Sequence, residues 1–454
     1  MAELVVIGAG LAGCEAAWQA ATRGVSVALY EMRPTVQTGA HKTADLAELV
    51  CSNSLRALSI ENAVGLLKEE MARMGSLIVT AAHATAVPAG GALAVDRQRF
   101  SAFIGERISG HPLVELHREE ATALDVSVPT IVACGPLGSQ ALSHALAELC
   151  GAPHLHYYDA ASPIVTADSI ERSQVFEASR YGKGGADYLN IPLDRAQYLR
   201  LVEDLVSAPK AQPHGFEEDL AGGSAPYFEG CLPVEEMARR GVDTLRFGPL
   251  KPVGLFFDGA PGGRPYAVVQ LRRENEAATA YNMVGFQTRL TWPAQKETFG
   301  KLPGLAHAEW IRLGVMHRNT FVDAPRVLSA DLSLRRAPNV FLAGQVSGCE
   351  GYVEAAATGI VAAENAVRRL RGVDEPFVPP PTTALGSLLA YLRDTTSPDF
   401  QPQNVSFAYM TALDEAVRDK RLRRWRLAQR ALAQIDQIAA GLQAHGATHE
   451  SIGV

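Results

Sequence analysis

Short apolar runs recur along this chain, each followed by a glycine turn and a stretch of small residues with helical spacing. The first run, Leu4–Ile7, meets a turn at Gly8, Gly10 and Gly13, and the alanine-rich positions beyond it read as a helix to about Thr22. A second run, Val25–Tyr30, ends at Glu31. Two more follow much later: Thr130–Ala133 before a turn at Gly135 and Gly138, and Asn339–Ala343 before Gly344 and an alanine-rich helix near Tyr352. Strand, turn and helix in this order predict an α/β protein with a Rossmann-like fold completed by distant segments.

The first turn carries chemistry. Gly8 permits a tight turn, Gly10 lets a pyrophosphate approach the backbone, and Gly13 allows the helix to pack on the strand. The helix start then offers free N–H groups to phosphates. Glu31, 18 residues beyond Gly13, is placed to hold a ribose. The late segment Asn339–Gly359 decides which dinucleotide is expected, because in two-part flavoproteins such a segment presents a helix start to the flavin. FAD is therefore expected as the held cofactor, with contacts from Gly8, Gly10, Gly13, Glu31, Arg33, Gly135, Gly344, Gln345, Gly351 and Tyr352. No second GxGxxG follows a strand, so NAD(P)H is expected to bind only transiently.

The expected organisation is a discontinuous, glutathione-reductase-like FAD domain from residues 1–90, 127–165 and 320–375. A large α+β insertion comprises 91–126 and 166–319, and a linker with a helical tail fills 376–454. The insertion holds glycine-aromatic stretches, Arg180–Tyr188 and Phe247–Pro252, of the kind that cover a site. The tail helix, about Ala412 to Gln443, carries an apolar stripe of Leu422, Trp425, Leu432, Ile435, Ile438 and Leu442. Its other face is basic, with Arg418, Lys420, Arg421, Arg423, Arg424, Arg426 and Arg430 opposed only by Asp419. That face is either solvated or meets an anionic partner such as RNA.

A net charge of −7 over 454 residues argues against indiscriminate coating of nucleic acid but leaves room for a local basic patch. The six cysteines show no CxxC pair or zinc-like spacing, so neither a disulfide framework nor a metal is expected, and the reducing cytoplasm is the expected compartment. No secretory signal or membrane span is read from the sequence. Cys14, Cys134 and Cys150 sit among small apolar residues as core positions. Cys51, in a polar turn read as preceding a helix, and Cys231, just before Pro233 at the expected start of another, are the candidate nucleophiles. Local chemistry leaves both open between structural and catalytic roles, and Glu229, Glu235 and Glu236 count against activation of Cys231.

Taken together, Val6–Ala17, Leu29–Pro34, Val50–Leu55, Tyr181–Tyr188, Phe228–Pro233, Phe247–Leu255, Val284–Thr288, Gly314–Thr320 and Leu342–Tyr352 resemble the TrmFO family of folate- and FAD-dependent tRNA (uracil-5-)-methyltransferases, and less closely the larger MnmG (GidA) proteins. The resemblance implies methylation of uridine 54 in the tRNA T-loop. The carbon would come from 5,10-methylenetetrahydrofolate, with FAD reduced by NAD(P)H, by way of a flavin N5-methylene iminium. It implies that Cys231 attacks uracil C6 and that Cys51 handles the methylene beside the flavin, with the two roles open to exchange. It further implies that His317 and Tyr352 contact the folate. Tail arginines with Lys183, Arg272 and Arg273 are candidates for tRNA backbone contacts. Gln345 stands where many related flavoproteins have an acid. The alternatives are a flavin-dependent oxidoreductase of a small molecule or thiol, and a non-catalytic FAD-containing RNA-binding factor.

Overall fold

The computed structural model describes residues 2–38, 40–151, 155–160, 162–211, 232–314, 316–395 and 400–447, with the backbone alone for 155–160, 261, 316–319 and 443–447. The first sheet has six strands in the order Ser333–Leu334, Ala337–Leu342, Thr130–Val132, Leu4–Ile7, Val27–Tyr30 and Val114–His117. All neighbours are parallel except the first pair. Its central strands are apolar on both faces, with Leu4, Val6, Leu29, Ile131, Val132, Val340 and Phe341 all buried, as a parallel sheet covered on both sides requires. The helices Leu11–Ala21 and Tyr352–Leu370 pack against each other over this sheet. Residues some 340 apart in sequence thus form one layer.

The second sheet is antiparallel throughout, in the order Phe176–Glu177, Tyr188–Leu193, Ala267–Arg273, Ala280–Met283, Ile164–Thr166 and Trp310–Arg312. It has its own core around Leu189, Ile191, Tyr198, Val269, Leu271, Phe286 and Phe299. The chain leaves the first unit along Leu155–Ala160 and returns along Met316–Phe321, and these two segments pair with each other.

Two boundaries need correction. Residues 91–126 do not belong with the insertion: Ala92–Val95 pairs with Ser54–Ala57, and Val114–His117 is the edge strand of the first sheet. Ile164–Thr166 belongs to the second sheet rather than the first. All three are strands of three or four residues, too short for their own pattern to reveal their partners in advance.

Buried carboxylates tie the helices of the first unit together. Glu15 accepts hydrogen bonds from Ser76 Oγ at 2.7 Å and the Ile78 N–H at 2.9 Å, at the start of Leu77–Ala84. Glu70 does the same for Ala384–Tyr391, accepting from the Ala384 and Leu385 N–H groups at 2.7 and 2.9 Å. Each satisfies donors that the first turn of a helix leaves unpaired. The tail helix spans Lys420–Ala447, starting later than expected. Leu427, Ala428, Leu432 and Ile435 form its buried stripe, whereas Leu422 and Trp425 are exposed. Much of its basic face is engaged within the chain: Arg421 pairs with Glu61, Arg426 with Glu415, and Arg430 donates to the Ala412 carbonyl.

Candidate active site

Three glycine turns converge on one groove at the carboxyl ends of the first sheet. Its walls include Gly8, Gly10, Glu31, Arg33, Gly135, Gly344, Gln345 and Tyr352. Gly8 has φ +99°, and a Cβ on Gly13 would fall on the Gly8 carbonyl oxygen, so strand and helix touch only because both residues lack side chains. Gly13 therefore acts through packing and does not line the groove. The helix Leu11–Ala21 begins at Gly10 and Tyr352–Leu370 begins at Gly351, and neither glycine has a side chain to cap the first N–H groups. A Cβ on Gly351 would meet Asn404 and Arg56, which places that glycine in the chain's own turn, away from the groove.

Glu31 lies at the end of its strand, as expected, and accepts from the Ala9 N–H at 3.1 Å and Arg33 Nε at 2.8 Å. Burial opposes its ionisation, but the Arg33 side chain and the two backbone N–H groups outweigh it and hold the carboxyl below its usual range. Arg33 also reaches Glu48 at 3.0 Å. The uncapped helix start at Gly10 suits a pyrophosphate and the ionised Glu31 suits ribose hydroxyls, so the residues present fit a dinucleotide. Gln345 donates to Glu350 at 2.9 Å.

At the rim of this groove stands Cys51. Its Sγ lies 3.0 Å from Tyr352 Oη, and its backbone N–H donates to the same oxygen at 2.8 Å. Burial, and then Cys51 itself, push the Tyr352 phenol well above its ordinary range, so the hydroxyl remains a donor. The turn does not lead into a helix, as the sequence suggested, but into the strand Ser54–Ala57. Asn53 and Ser52 are not free to cap, because Asn53 donates to the Val95 and Arg273 carbonyls and both residues accept from Arg272, at 2.9 Å and 2.7 Å.

The positive field at Cys51 comes instead from three guanidiniums. Arg312 donates to the Val50 carbonyl at 2.8 Å and the Cys51 carbonyl at 3.1 Å, Arg272 holds Ser52, and Arg97 reaches the Leu49 carbonyl. Burial works against the charge on Arg272 and Arg312, while an anion at Cys51 favours it. The converse also holds, since a thiolate there is stabilised by the cations. Among the described residues, the one carboxylate joined to the trio is Glu274, paired with Arg97. Arg272 is thus buried beside Cys51 and is not a surface contact for RNA. Sequence reasoning missed Arg97 and Arg312 entirely, and Arg272 gave no local signal, since its strand Ala267–Arg273 also holds Gln270 and Arg273.

The remaining cysteines behave as core residues. Burial pushes the thiols of Cys134 and Cys349 up to about 12 and that of Cys150 to about 11, and raises Cys14 further. Cys231 lies outside the described residues. Beyond it, Pro233 caps the helix Val234–Arg240. Glu235 there accepts from Thr288 Oγ1 at 2.8 Å, and Glu236 pairs with Arg239 and Arg289. His317 lies on the strand Met316–Phe321 opposite Asp159, and its side chain lies outside the described residues.

A family model described as "Glucose inhibited division protein A" matches residues 3–374. The chain is 55% identical over 434 residues to the methylenetetrahydrofolate--tRNA-(uracil-5-)-methyltransferase TrmFO of Geobacter sulfurreducens, an alignment covering 95% of this chain and 98% of that one. The chain belongs to the TrmFO branch of the GidA family. A second TrmFO, from Heliobacterium modesticaldum, is 54% identical over 96% of this chain and 98% of its own length. Among solved structures, Aquifex aeolicus GidA matches with a TM-score of 0.70 at 17% identity, covering 97% of this chain and 73% of the GidA chain. The TrmFO fold described above, a nucleotide-binding sheet with a large inserted unit and a helical tail, is therefore shared with GidA. Among the described residues no helix is long and apolar enough to cross a membrane.

Proposed function

We propose that this protein is a tRNA (uracil-5-)-methyltransferase that converts uridine 54 of the T-loop to 5-methyluridine. The carbon is taken from 5,10-methylenetetrahydrofolate, FAD occupies the glycine-turn groove, and NAD(P)H supplies the electrons. The names of its TrmFO relatives support the reaction class. The observation that carries the reading is the Cys51 thiol at the groove rim, 3.0 Å from a phenol and ringed by Arg97, Arg272 and Arg312. When bound, FAD supplies two-electron chemistry that no side chain here provides.

The chain's residues do the rest. Gly8, Gly10 and the helix start at Gly10 bind the pyrophosphate, and Glu31 the ribose. Uracil C5 becomes nucleophilic only after a nucleophile adds at C6, and we assign that addition to Cys231 as a thiolate. Once C5 has bonded to the incoming carbon, loss of its proton and elimination of the cysteine restore the ring. Cys51 is assigned to the one-carbon side of the reaction, its anion held by the three arginines and by a hydrogen bond donated from the Tyr352 hydroxyl. His317 and Tyr352 are assigned to folate. The uridine must leave its stack to reach the groove.

The test is to incubate the flavin-loaded protein with unmodified tRNA transcript, NAD(P)H and folate labelled in the methylene carbon. Label should appear in 5-methyluridine at position 54. Cys51→Ala and Cys231→Ala should each cut the rate by about 10³-fold or more while retaining flavin. NAD(P)H consumed without labelled tRNA would instead indicate a small-molecule or thiol oxidoreductase. Binding of tRNA with neither reaction would indicate an RNA-binding factor.

A further inference from the structure

The three most exposed aromatic side chains in the described structure lie in one region of the second unit: Phe247 at 72%, with Tyr181 and Phe256 at 64% each. Soluble proteins rarely leave several large rings exposed together unless the patch binds something. Two of these rings carry cations. Arg264 lies over Phe256 at 5.5 Å from the ring centre, and Arg246 lies 4.3 Å from the Tyr266 ring and 5.8 Å from Phe247.

The region is built to hold these rings outward. Phe257 turns in and stacks on Phe176 at 5.1 Å, which leaves its neighbour Phe256 facing solvent. Tyr181 lies against Gly254, where a Cβ would come within 2.9 Å of the ring. Arg180 fixes this loop by donating to the Val253 carbonyl at 2.9 Å. Between them opens a cleft of about 920 Å³ whose charged lining is three arginines, Arg195, Arg246 and Arg264, against Asp194 alone. Asp194 is occupied in capping its own helix. In a chain of net charge −7 this is a local positive surface.

The patch is also connected to the cysteine site. Arg180 Nε donates to Gln270 Oε1 at 2.8 Å, and Gln270 stands two residues before Arg272 on the same face of one strand, about 7 Å along it. Arg272 in turn holds Ser52, next to Cys51. An RNA whose target base enters at Cys51 can therefore run over this face.

We infer that Tyr181, Phe247 and Phe256, with Arg246 and Arg264, form a platform on which unpaired bases of the tRNA substrate stack while their phosphates meet the arginines. This rests on the methyltransferase reading and adds to it where the RNA lies. Rings and guanidiniums together accept any base without reading its edges, and extracting the target uridine leaves neighbouring bases without a stacking partner that such a surface replaces.

The test uses the full-length, flavin-loaded protein carrying Phe247→Ala and Phe256→Ala together. Both side chains are exposed, so flavin absorbance and circular dichroism should match the wild type. The Kd and KM for tRNA transcript should rise about 10- to 100-fold with kcat within about twofold. Phe256→Trp should restore most of the affinity. Arg264→Gln should lower the slope of log Kd against log salt by about one, whereas the phenylalanine variants leave that slope unchanged. An unchanged tRNA Kd in the double variant overturns the platform. A shift in sedimentation with wild-type tRNA affinity overturns it too, and marks a protein interface. The Kd needs no turnover, so a wild type that binds tRNA without methylating it removes the functional reading and leaves the platform standing or falling on the variants.

Discussion

In the nucleotide groove one buried guanidinium, Arg33, is matched by two carboxylates, Glu31 and Glu48. A few residues away in space, at Cys51, three guanidiniums are joined among the described residues to a single carboxylate, Glu274. The groove's guanidinium is already paired before any ligand arrives, and its anion-binding power lies in backbone N–H groups at the helix start at Gly10. The cysteine site keeps a surplus of positive charge that only an anion can settle. Burying unmatched cations is costly, and the surplus persists because the Leu49, Val50 and Cys51 carbonyls and the Ser52 hydroxyl accept several of the N–H groups while leaving the charge in place. One region is shaped to hold a ligand, the other to stabilise charge as it forms.

The harshest way to break this contrast is at the shaped region. Gly13→Val places a branched side chain on the Gly8 carbonyl, and the expected result is loss of bound flavin together with a fall of several kcal/mol in stability, about the upper end for a buried overpacked site. Flavin absorbance and a urea melt measure both. If the groove tolerates valine, backbone shape is not what defines it.

The charged region should respond differently. Arg312→Ala should slow alkylation of Cys51 by iodoacetamide about tenfold at neutral pH, followed by peptide mass mapping, with flavin retained. Glu274→Gln should do the reverse and speed it a few fold, within about the 1 kcal/mol expected for one partly screened charge. An Arg312→Ala rate equal to wild type would dissolve the distinction between the two regions.

The smallest effect sharpens the contrast through pH. Glu31, held below its ordinary range by Arg33, contributes stability that is present above the unfolded carboxyl value and lost as pH falls through the folded one. Glu70 has no such cation in contact, and burial pushes it up to about 8 despite two backbone N–H partners. The folded state then keeps a proton that the unfolded chain releases at about 4.3, so Glu70 lowers stability as pH rises from there toward about 8. Thermal melts between these limits should fall less steeply in Glu70→Gln, and a parallel slope in wild type and variant would count against the assignment.

Much of the shaped region was legible in the sequence. Gly8, Gly10, Glu31, Gly344 and Tyr352 all meet where strand, turn and helix spacing placed them, because each is fixed by its own neighbours in the chain. The charged region was legible only at Cys51. Arg97 comes from the start of the helix Arg97–Ser109, Arg272 from the middle of the second sheet and Arg312 from that sheet's edge. Nothing local distinguishes those arginines from solvated ones; only the docking of one sheet on the other aims them at residues 49–53. The misplaced segment 91–126 has the same origin, since the strand Val114–His117 earns its place by pairing with Val27–Tyr30 and not by its own pattern. The exposed tail residues Leu422 and Trp425 show the opposite error, a helical stripe that continues past the surface it packs on.

The order of the strands also sets a clock. The strand Ala337–Leu342 is the neighbour that completes the pairing of Thr130–Val132, and the helix Tyr352–Leu370 supplies the second wall of the groove. At about 5–20 residues per second, a ribosome needs roughly 20–70 s to reach Tyr352. Until then the glycine turn made in the first moments of synthesis has nothing to close against, so cofactor loading is an event of late synthesis, after the entire second sheet has emerged.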